Sequence, residues 1–503
     1  MAHFTSKSIS RRSFLKDSAV TALGLSTLPY LNCGKIGVKQ PLTREFGRLQ
    51  TEVTTLGLGG QASIQWTPAD VDPVKIILKA FNLGVTYFDT SNVYGPSQMN
   101  YGKAFRQLRL IPGESGYNES LRQSIFLTSK TGLRWSKGFQ DGVRSFTNGP
   151  KGTGAIDDVK RTLSQVFGDG QGNYPKGAYI NMVLIHALDT FEEIDAVYEG
   201  LDNPDPKAER IGALAGLLDL LDGTNRTGLN SKEEKLIRHI GFSGHHSPPV
   251  MMEMIQRDSN NILDGMLIAI NANDRLNFNM QYNAIPVAAA KNMGIIAMKV
   301  FADGAMYTKE ANWSWKPEHV VRTVGSQTLP SRELVHYSLT TPGIHTAIIG
   351  IGQIDDNPKA CQLTQNMSAA QIRPNSMTEA ARRDIEMLAG KVKDGKTNYF
   401  QLPAEQLTPA QHPSVQQDMR NNQRVVQLTW KTAFAGNEPI RKYEIWRDNQ
   451  KITDVEHHPQ TTHEPFTFDD LVADKEAHSY NIITVDASNN TATTTELVAP
   501  TIG

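Results

Sequence analysis

Thr86-Tyr-Phe-Asp-Thr-Ser-Asn-Val-Tyr-Gly95 contains a short apolar run that ends on a carboxylate, with a tyrosine five residues further on. Two later apolar runs end in a comparable way, one at Lys130 and one at His186. In a parallel barrel of alternating strands and helices, the carboxyl ends of all strands face one mouth, so polar residues at those ends converge. We therefore predict a single reaction centre built from Asp89, Tyr94, Lys130 and His186.

Eight short apolar runs are candidate strands of such a barrel. They are residues 55–59, 86–89, 125–129, 182–186, 239–243, 267–271, 294–299 and 345–350. Helix-like apolar periodicity lies between them, for example in 74–83 and 156–167, which predicts parallel strands joined by crossover helices. A doubly wound sheet has a similar alternation, but no Gly-x-Gly-x-x-Gly motif follows the first strand. The predicted fold is a (β/α)8 TIM barrel.

The composition limits the classes of function. The chain has 503 residues, of which 39% are hydrophobic and 20% charged, and a typical domain has about 150, so more than one domain is expected. A formal net charge of -1 without a long basic stripe argues against nucleic acid or anionic lipid as a partner. We expect a small neutral substrate, and we predict no metal site.

The four residues suit the reduction of a carbonyl group. A carbonyl that accepts a hydride needs a proton donor, and a phenol with a pKa near 10 donates poorly unless a nearby ammonium stabilises its phenolate. Tyr94 is the predicted acid and Lys130 the group that tunes it. Asp89 would keep the lysine charged in a cleft, and His186 would hydrogen-bond and orient the substrate oxygen.

Phe88-Asp-Thr-Ser-Asn-Val-Tyr-Gly95 resembles the signature of the aldo-keto reductase family, and Ser129-Lys-Thr and Leu184-Ile-His follow in the family's order. The resemblance covers residues 44–395. It implies an oxidoreductase that transfers a hydride between NAD or NADP and a carbonyl or alcohol substrate such as a sugar, an aldehyde or a ketone.

The resemblance also implies a nicotinamide site, with some departures. The family's fifth strand ends in a Ser-Asn pair that holds the carboxamide; here Ser243 is followed by Gly244. The family's strand-six glutamine falls near Ala272, so Asn271 or Asn273 is the expected substitute. Lys299 matches a recurrent strand-seven motif of bacterial members and is expected near the nicotinamide ring or the pyrophosphate, although a solvated lysine at a strand end would look the same.

The stretch after strand eight bears on the choice of cofactor. NADP-using members place Lys, Ser and Arg there against the 2′-phosphate, because guanidinium and ammonium groups meet a doubly charged phosphate best. Here the stretch contains Gly350 and Gly352, no base, and the acidic pair Asp355 and Asp356. An acidic residue accepts a hydrogen bond from a ribose hydroxyl and repels a phosphate, so NAD is predicted over NADP, with Asp356 and the two glycines as binding residues.

The N-terminal segment 1–35 is interpreted as a twin-arginine signal peptide. Ser10-Arg-Arg-Ser-Phe-Leu-Lys16 precedes a mildly apolar stretch that is too short and too polar to span a bilayer. This predicts a partnership with the twin-arginine export machinery and a periplasmic or extracellular location. Leu31-Asn-Cys-Gly34 leaves a relaxed lipoprotein box open, in which acylation of Cys33 would be the only route to a membrane.

The C-terminal part has a different composition. Residues 396–413 are predicted as a linker, and residues 414–503 show alternating apolar runs separated by turn signals. This pattern predicts a small all-β immunoglobulin-like sandwich. Trp430, Leu471 and Tyr480 resemble the strand-B tryptophan, the leucine and the tyrosine corner of a fibronectin type III module.

Two functional interpretations remain open. The first is an exported oxidoreductase that keeps its dinucleotide tightly bound, because free dinucleotide is scarce outside the cytoplasm. The second is a catalytically idle, nucleotide-binding barrel that acts as a sensor or scaffold through its C-terminal module. The intact Asp89, Tyr94, Lys130 and His186 favour the first, and the departure at Gly244 favours the second.

Overall fold

A computed structural model describes residues 41–403 and 407–502. In chain order, the strands of its larger part are β1 (Thr43–Glu45), β2 (Glu52–Thr54), β3 (Leu56–Leu58), β4 (Tyr87–Asp89), β5 (Phe126–Thr131), β6 (Trp135–Lys137), β7 (Ile180–Ile185), β8 (Ile211–Gly212), β9 (Ile237–Gly244), β10 (Leu263–Ala269), β11 (Gly294–Met298) and β12 (Thr346–Ile349). Strands β3, β4, β5, β7, β9, β10, β11 and β12 pair in parallel and close into a barrel. Each predicted strand overlaps one of them, which confirms the TIM-barrel fold.

Helices connect the strands on the outside of the barrel. They are α1 (Pro73–Asn82), α2 (Ser97–Gln107), α3 (Glu119–Gln123), α4 (Ala155–Phe167), α5 (Phe191–Tyr198), α6 (Ala213–Asp222), α7 (Pro248–Gln256), α8 (Ala284–Ala290), α9 (Ser331–Thr340), α10 (Gln362–Ala369) and α11 (Glu379–Gly390). Local signals set several starts: Asp72 caps α1 ahead of a proline at its first position, and Thr190 and Glu193 form a capping box at α5.

Two apolar layers hold the barrel together. One lies between the strands and the helices, and the other fills the barrel interior with Phe46, Tyr87, Phe126, Leu267 and their neighbours. The hairpin β1–β2 brings Phe46 into edge-to-face contact with Tyr87 and Phe126. The strands are therefore buried on both faces, which explains why their sequences read as continuous apolar runs.

The C-terminal part forms two antiparallel sheets. Its strands are β13 (Gln411–Arg420), β14 (Gln423–Lys431), β15 (Ile440–Arg447), β16 (Gln450–Glu456), β17 (Phe466–Val472), β18 (His478–Asp486), β19 (Thr491–Thr493) and β20 (Leu497–Ala499). Strands β13, β14 and β17 form one sheet, and the other five form the second. Trp430, Tyr443 and Phe466 pack between the sheets, in agreement with the predicted sandwich. Leu471 differs from its expected place, since its side chain is 60% exposed and Val472 is buried instead.

Some sequence predictions lie outside the described residues. These are the signal peptide, including the twin arginines and Cys33, and residues 404–406 of the predicted linker. Strand β13 begins at Gln411, inside the stretch that we predicted as a linker. Among residues 41–403 and 407–502, no helix is both long and apolar enough to cross a membrane.

Candidate active site

Asp89 and Lys130 form a buried ion pair at the barrel mouth. They end the adjacent strands β4 and β5, and Lys130 Nζ lies 2.6 Å from each carboxylate oxygen of Asp89 and 2.9 Å from the carbonyl oxygen of Thr90. Burial raises the pKa of Asp89 and lowers the pKa of Lys130, and each charge opposes the shift of the other. Each of the two side chains therefore stabilises the charged form of the other inside the protein.

The glycines that end β3 allow the chain to approach this pair closely. The backbone N–H of Gly60 hydrogen-bonds the Asp89 carboxylate and helps to hold down the pKa of that group. A Cβ at Gly60 would lie 2.4 Å from the carbonyl oxygen of Asp89. A side chain is therefore excluded at this position, which explains the glycine run after the first barrel strand.

Tyr94 and His186 complete the cluster. Lys130 Nζ lies 4.7 Å from the centroid of the Tyr94 ring, and the rings of Tyr94 and His186 meet edge to face with centroids 5.8 Å apart. The structure thus brings together the four residues that we predicted as catalytic. We refer to Asp89, Tyr94, Lys130 and His186 as the tetrad.

His186 is held on the side away from Tyr94 by two residues that the sequence pattern did not indicate. Its Nδ1 lies 3.2 Å from the Ser91 hydroxyl, and its carbonyl oxygen accepts a hydrogen bond of 2.9 Å from Arg134. Arg134 is itself buried and paired with Glu193 at 3.1 Å. Ser91 lies inside the signature segment and was open to identification from its position between Asp89 and Tyr94, whereas Arg134 acquires its contacts only in the folded barrel.

Burial dominates the electrostatics of the two rings. The pKa of Tyr94 is raised well above 10, first by desolvation and then by the negative charge of Asp89. The pKa of His186 is lowered well below 6.5, first by desolvation and then by Lys130. The pKa of Tyr94 is thus shifted upwards, whereas we predicted that Lys130 would shift it downwards. At neutral pH the site therefore presents a protonated phenol and a neutral imidazole.

A cavity with about 960 Å³ of space, part of it open to solvent, extends from the tetrad towards the loops that follow β11 and β12. Asp89, Tyr94, Lys299 and Tyr307 line one part of it, and Val321, Gly350, Gln362 and Asn366 line another. Tyr94 therefore faces a concave site that the reactive end of a bound ligand can reach.

Two of the six predicted cofactor-binding residues, Lys299 and Gly350, lie on the cavity wall. Lys299 Nζ is 3.3 Å from the amide oxygen of Gln61 and 4.5 Å from the ring centroid of Trp313. Burial lowers the pKa of Lys299, and the charge of Asp303 opposes that shift. Lys299 is thus a partly buried side chain with partners in the cavity wall, in contrast to the solvated strand-end lysine that was the alternative.

Ser243 and Asn271 are buried in contacts with the surrounding backbone. The Ser243 hydroxyl accepts a hydrogen bond of 2.9 Å from the N–H of Ala187. The Asn271 side-chain N–H group donates to Asp274 at 2.8 Å and to the carbonyl oxygen of Lys299 at 3.2 Å. Neither is among the described residues that line the cavity, so direct contact of either with a cofactor stays a prediction.

The departure at Gly244 has a steric cause. A Cβ at this position would lie 2.4 Å from the sulfur of Met251 and 3.0 Å from the carbonyl oxygen of Leu188. The asparagine of the family pattern would fit here only if the flexible end of the Met251 side chain moved away. The carboxamide of a nicotinamide would have to find its partners elsewhere.

The part of the cavity wall after β12, where the adenosine of a dinucleotide is expected, is formed by α10 and not by Asp356. Asp356 is exposed and is absent from the described cavity wall, whereas the amides Gln362 and Asn366, four residues apart on one face of α10, line it. Gly352 lies behind the wall, where its N–H donates to Gln362 Oε1 at 2.8 Å. The sequence analysis missed these two residues, although the i, i+4 spacing of two amides was a signal that could have indicated this face.

An aromatic group covers the mouth beside the tetrad. Trp313 and Tyr399 have ring centroids 5.6 Å apart, Tyr399 and Phe400 5.0 Å, and Phe400 and His245 5.4 Å. Tyr399 and Phe400 belong to the segment after α11 that was predicted as a linker. This segment therefore contributes to the site.

The cavity residues fit a nicotinamide dinucleotide. The Tyr307 hydroxyl and His319 Nδ1 belong to cavity-lining residues, are buried, and have no hydrogen-bond partner among the described residues. Backbone at Gly59, Gly60 and Gly350 also lines the wall, which permits close approach of a ligand. The described residues contain no group of three or more His, Cys, Asp or Glu side chains able to hold a metal ion.

A closed parallel barrel with these groups at its mouth defines the class of barrel oxidoreductases. The chain belongs to the aldo/keto reductase family, whose model matches residues 55–329, just over half of the chain. No curated protein sequence matches it.

Solved structures of the same family resemble the chain. One, from Pseudomonas aeruginosa, is described as an aldo-keto reductase and is 20% identical with a TM-score of 0.38; the match covers 66% of this chain and 97% of that one. Another is a Bombyx mori aldo-keto reductase in complex with NADP, 15% identical with a TM-score of 0.43, covering 70% of this chain and 93% of that one.

Proposed function

We propose that the protein is an exported oxidoreductase that transfers a hydride between a nicotinamide cofactor and the carbonyl or alcohol carbon of a small substrate. Tyr94 is the general acid in reduction and the general base in oxidation. The observation that carries this proposal is the convergence of Tyr94, Lys130, Asp89 and His186 beside a cavity lined by glycine backbone and by polar groups that are unpaired among the described residues.

A bound nicotinamide would supply or accept the hydride. Tyr94, protonated because burial raises its pKa, donates the hydroxyl proton to the carbonyl oxygen of the substrate during reduction. The phenolate that develops lies close to Lys130, whose charge is kept by Asp89. In the oxidative direction the same oxygen takes the proton from the alcohol.

His186 orients the substrate oxygen. Its imidazole is neutral because burial lowers its pKa, so one ring nitrogen donates and the other accepts. When the Ser91 hydroxyl donates to Nδ1, the proton of the ring is on Nε2, which can then donate to the substrate oxygen. Ser91 thereby selects the useful tautomer.

Replacing Tyr94 by Phe tests the assignment. We expect turnover to fall about 10²- to 10⁴-fold, the contribution of a positioned proton donor, while nicotinamide binding and thermal stability stay unchanged. Tyr101→Phe is the matched control, because Tyr101 is also buried but its hydroxyl makes only a 3.4 Å contact to the Leu58 carbonyl. Undiminished turnover in Tyr94→Phe excludes this mechanism.

Gly244 is the observation that favours a second candidate, a catalytically idle barrel that binds a nucleotide and acts as a sensor or scaffold through its C-terminal module. This candidate predicts a protein that holds a dinucleotide but reduces none of a panel of sugars, aldehydes and ketones. Measurable Tyr94-dependent turnover of any of them excludes it.

The charges of the cavity support a preference for NAD over NADP. Lys299 and His319 are the basic side chains on its described wall, and Lys299 lies near the tetrad, away from the adenosine end. Gln362 and Asn366 are neutral and offer a phosphate no charge. We expect NAD to bind about tenfold more tightly than NADP in a direct titration, and tighter binding of NADP would refute the argument.

Export is proposed from the twin-arginine motif in residues 10–16. Replacing both Arg11 and Arg12 by Lys should leave the protein in the cytoplasmic fraction, whereas wild-type protein reaches the periplasmic or extracellular fraction. Equal distribution of the two forms would remove the proposal.

Tight retention of the dinucleotide follows from export, with alternating oxidation and reduction of two substrates in place of cofactor exchange. The segment 319–325, most of whose residues line the cavity, supports this. Gln362 donates to the carbonyl oxygens of Val321 and Thr323, and Arg322 pairs with Asp70. Denaturing the exported protein should release nicotinamide, and an empty, weakly binding protein would end the idea.

The C-terminal sandwich is proposed to be a fibronectin type III-like module. Trp430 is fully buried between its sheets, and the Tyr480 hydroxyl donates to Asp470 at 2.7 Å. Both aromatic residues therefore stabilise the sandwich core and are not available to stack on a glycan.

A further inference from the structure

The sandwich contacts the barrel at two places: around Gln460 and His463, which bond to Gln256 and Glu253 of α7, and, more extensively, through one further loop. The 433–438 loop, which connects β14 to β15, contacts the 271–283 loop that follows the barrel strand β10. Three successive carbonyl groups of the sandwich loop each accept a hydrogen bond from a barrel side chain. Asn283 donates to Ala435 at 3.1 Å, Asn279 to Gly436 at 2.9 Å, and Arg275 to Asn437 at 2.7 Å.

Further interactions stabilise the contact between these two loops. The N–H of Ala435 donates to Asn283 Oδ1 at 2.8 Å, so that one amide side chain bonds both backbone groups of one residue. The rings of Phe434 and Phe278 pack edge to face with centroids 5.7 Å apart. Arg275, Asn279 and Asn283 are only 8%, 2% and 4% exposed, so separation of the modules would leave buried donors without partners.

A second set of contacts leads from this loop to the cavity. Asp274 accepts hydrogen bonds from Asn271 at 2.8 Å, from Asn398, and from Gln401 at 3.4 Å. Asn271 also donates to the carbonyl oxygen of Lys299 at 3.2 Å. Lys299 has a left-handed backbone with φ of 59°, and its side chain lines the cavity.

We propose that the C-terminal sandwich braces the 271–283 loop and that, through Asp274 and Asn271, this brace positions Lys299 on the wall of the cofactor cavity. Asn283 and Phe434 are positioning residues, since neither touches the reacting atoms. The inference rests on the proposed function. The sandwich is then a structural part of the cofactor site, in contrast to a tethered module that recruits a partner.

Substitutions on both sides of the contact test the brace, and those at Phe434 leave the barrel loop itself unchanged. Phe434→Ala removes the ring that packs on Phe278, and Phe434→Leu retains most of the apolar contact. Asn283→Ala removes the amide that bonds Ala435 from the barrel side. Leu471→Ala is the control, because it also truncates an apolar side chain of the sandwich, but an exposed one.

Two measurements on the full-length chain separate positioning from general stability. Hydrogen exchange of the amides of residues 271–283 reports whether the loop is braced. The dissociation rate of the cofactor in its reduced form, followed by the fluorescence of the dihydronicotinamide, reports the state of the cavity. Single-turnover hydride transfer reports the tetrad. In Phe434→Ala and Asn283→Ala we expect faster loop exchange and NAD release about tenfold faster, with the single-turnover rate of the loaded enzyme unchanged. Phe434→Leu should restore slow release.

Three results overturn the brace. One is unchanged exchange of residues 271–283 in both disrupted variants. Another is faster exchange with unchanged release of NAD. The third is an effect of Leu471→Ala equal to that of Phe434→Ala. A wild-type protein that binds no dinucleotide at all instead removes the proposed function, which the wild-type titration establishes before any variant is compared.

Discussion

The two halves of the barrel mouth are built in different ways. In the half formed by β3, β4, β5 and β7, the functional side chains stand at or just after strand ends and bond to the next strand, as Lys130 bonds to Asp89. In the half formed by β9, β10, β11 and β12, loops and α10 form the cavity wall. Strand-end side chains there, such as that of Ser243, hydrogen-bond to nearby backbone and do not line the cavity. The first half holds the four residues that we propose to be catalytic, and the second forms most of the cavity wall that we propose to hold the cofactor.

The two halves also differ in the contacts that fix their side chains in place. The tetrad depends on neighbouring strands, whose positions follow from the barrel ladder. The cofactor wall depends on partners far along the chain, such as Arg275 and Asn437, which are 162 residues apart. Substitutions in the first half should therefore have large effects that stay local to the tetrad. Substitutions in the second half should act by changing how well the loops of the cavity wall are ordered.

The largest effect is expected from Lys130→Met. It leaves the buried Asp89 carboxylate without its cation, which destabilises the fold by about 3–5 kcal/mol. Denaturant unfolding measures this loss. Adding Asp89→Asn should recover much of it because the uncompensated charge is then removed, and a Lys130→Met variant as stable as wild type would show that the first half is not held by this pair.

Restoring the family pattern with Gly244→Asn should also be destabilising. The new side chain would collide with Met251 and Leu188, an overpacking that we expect to reduce the free energy of unfolding by about 1–3 kcal/mol. Affinity for NAD should not improve. Gain of affinity without loss of stability would mean that the wall around β9 adjusts more freely than its contacts indicate.

Asp274 gives the second half a dependence on pH. Burial raises its pKa to about 7, so between the pKa of the unfolded chain and pH 7 the native state binds more protons than the unfolded state. The free energy of unfolding should therefore fall as the pH rises through this window, by on the order of 1–2 kcal/mol between pH 5 and pH 7. Asp274→Asn should remove that slope, and an identical slope in the variant would contradict the assignment.

The smallest effect is expected at Asp70. Its exposed ion pair with Arg322 helps to hold the segment 319–325 against the cavity. Asp70→Asn should speed NAD release less than about threefold, because an exposed ion pair contributes little. High salt should reproduce the effect in the wild type. The Arg322 guanidinium lowers the pKa of Asp70, so the pairing persists at neutral pH and is lost only as the pH falls through that lowered value.

The sequence predicted the first half of the mouth well because its information is local. Barrel strands buried on both faces read as short apolar runs, and the tetrad follows directly from their ends. Gln362 and the Asn271–Asp274 network were missed because their contacts depend on the paths of long loops. Asp356 was assigned from its nearness in sequence to a strand end, yet the chain turns there so that α10, and not Asp356, faces the cavity.

The contact between Asn283 and Ala435 has a consequence for biosynthesis. The ribosome delivers residue 283 long before residue 435, so the proposed brace is completed only when nearly the whole chain has been translated. A nascent or prematurely terminated chain would contain the barrel without the proposed brace, and its barrel would therefore release a dinucleotide more quickly. Cofactor loading would thus report that the C-terminal sandwich has been made, which would serve as a checkpoint if the proposed export of the folded protein takes place.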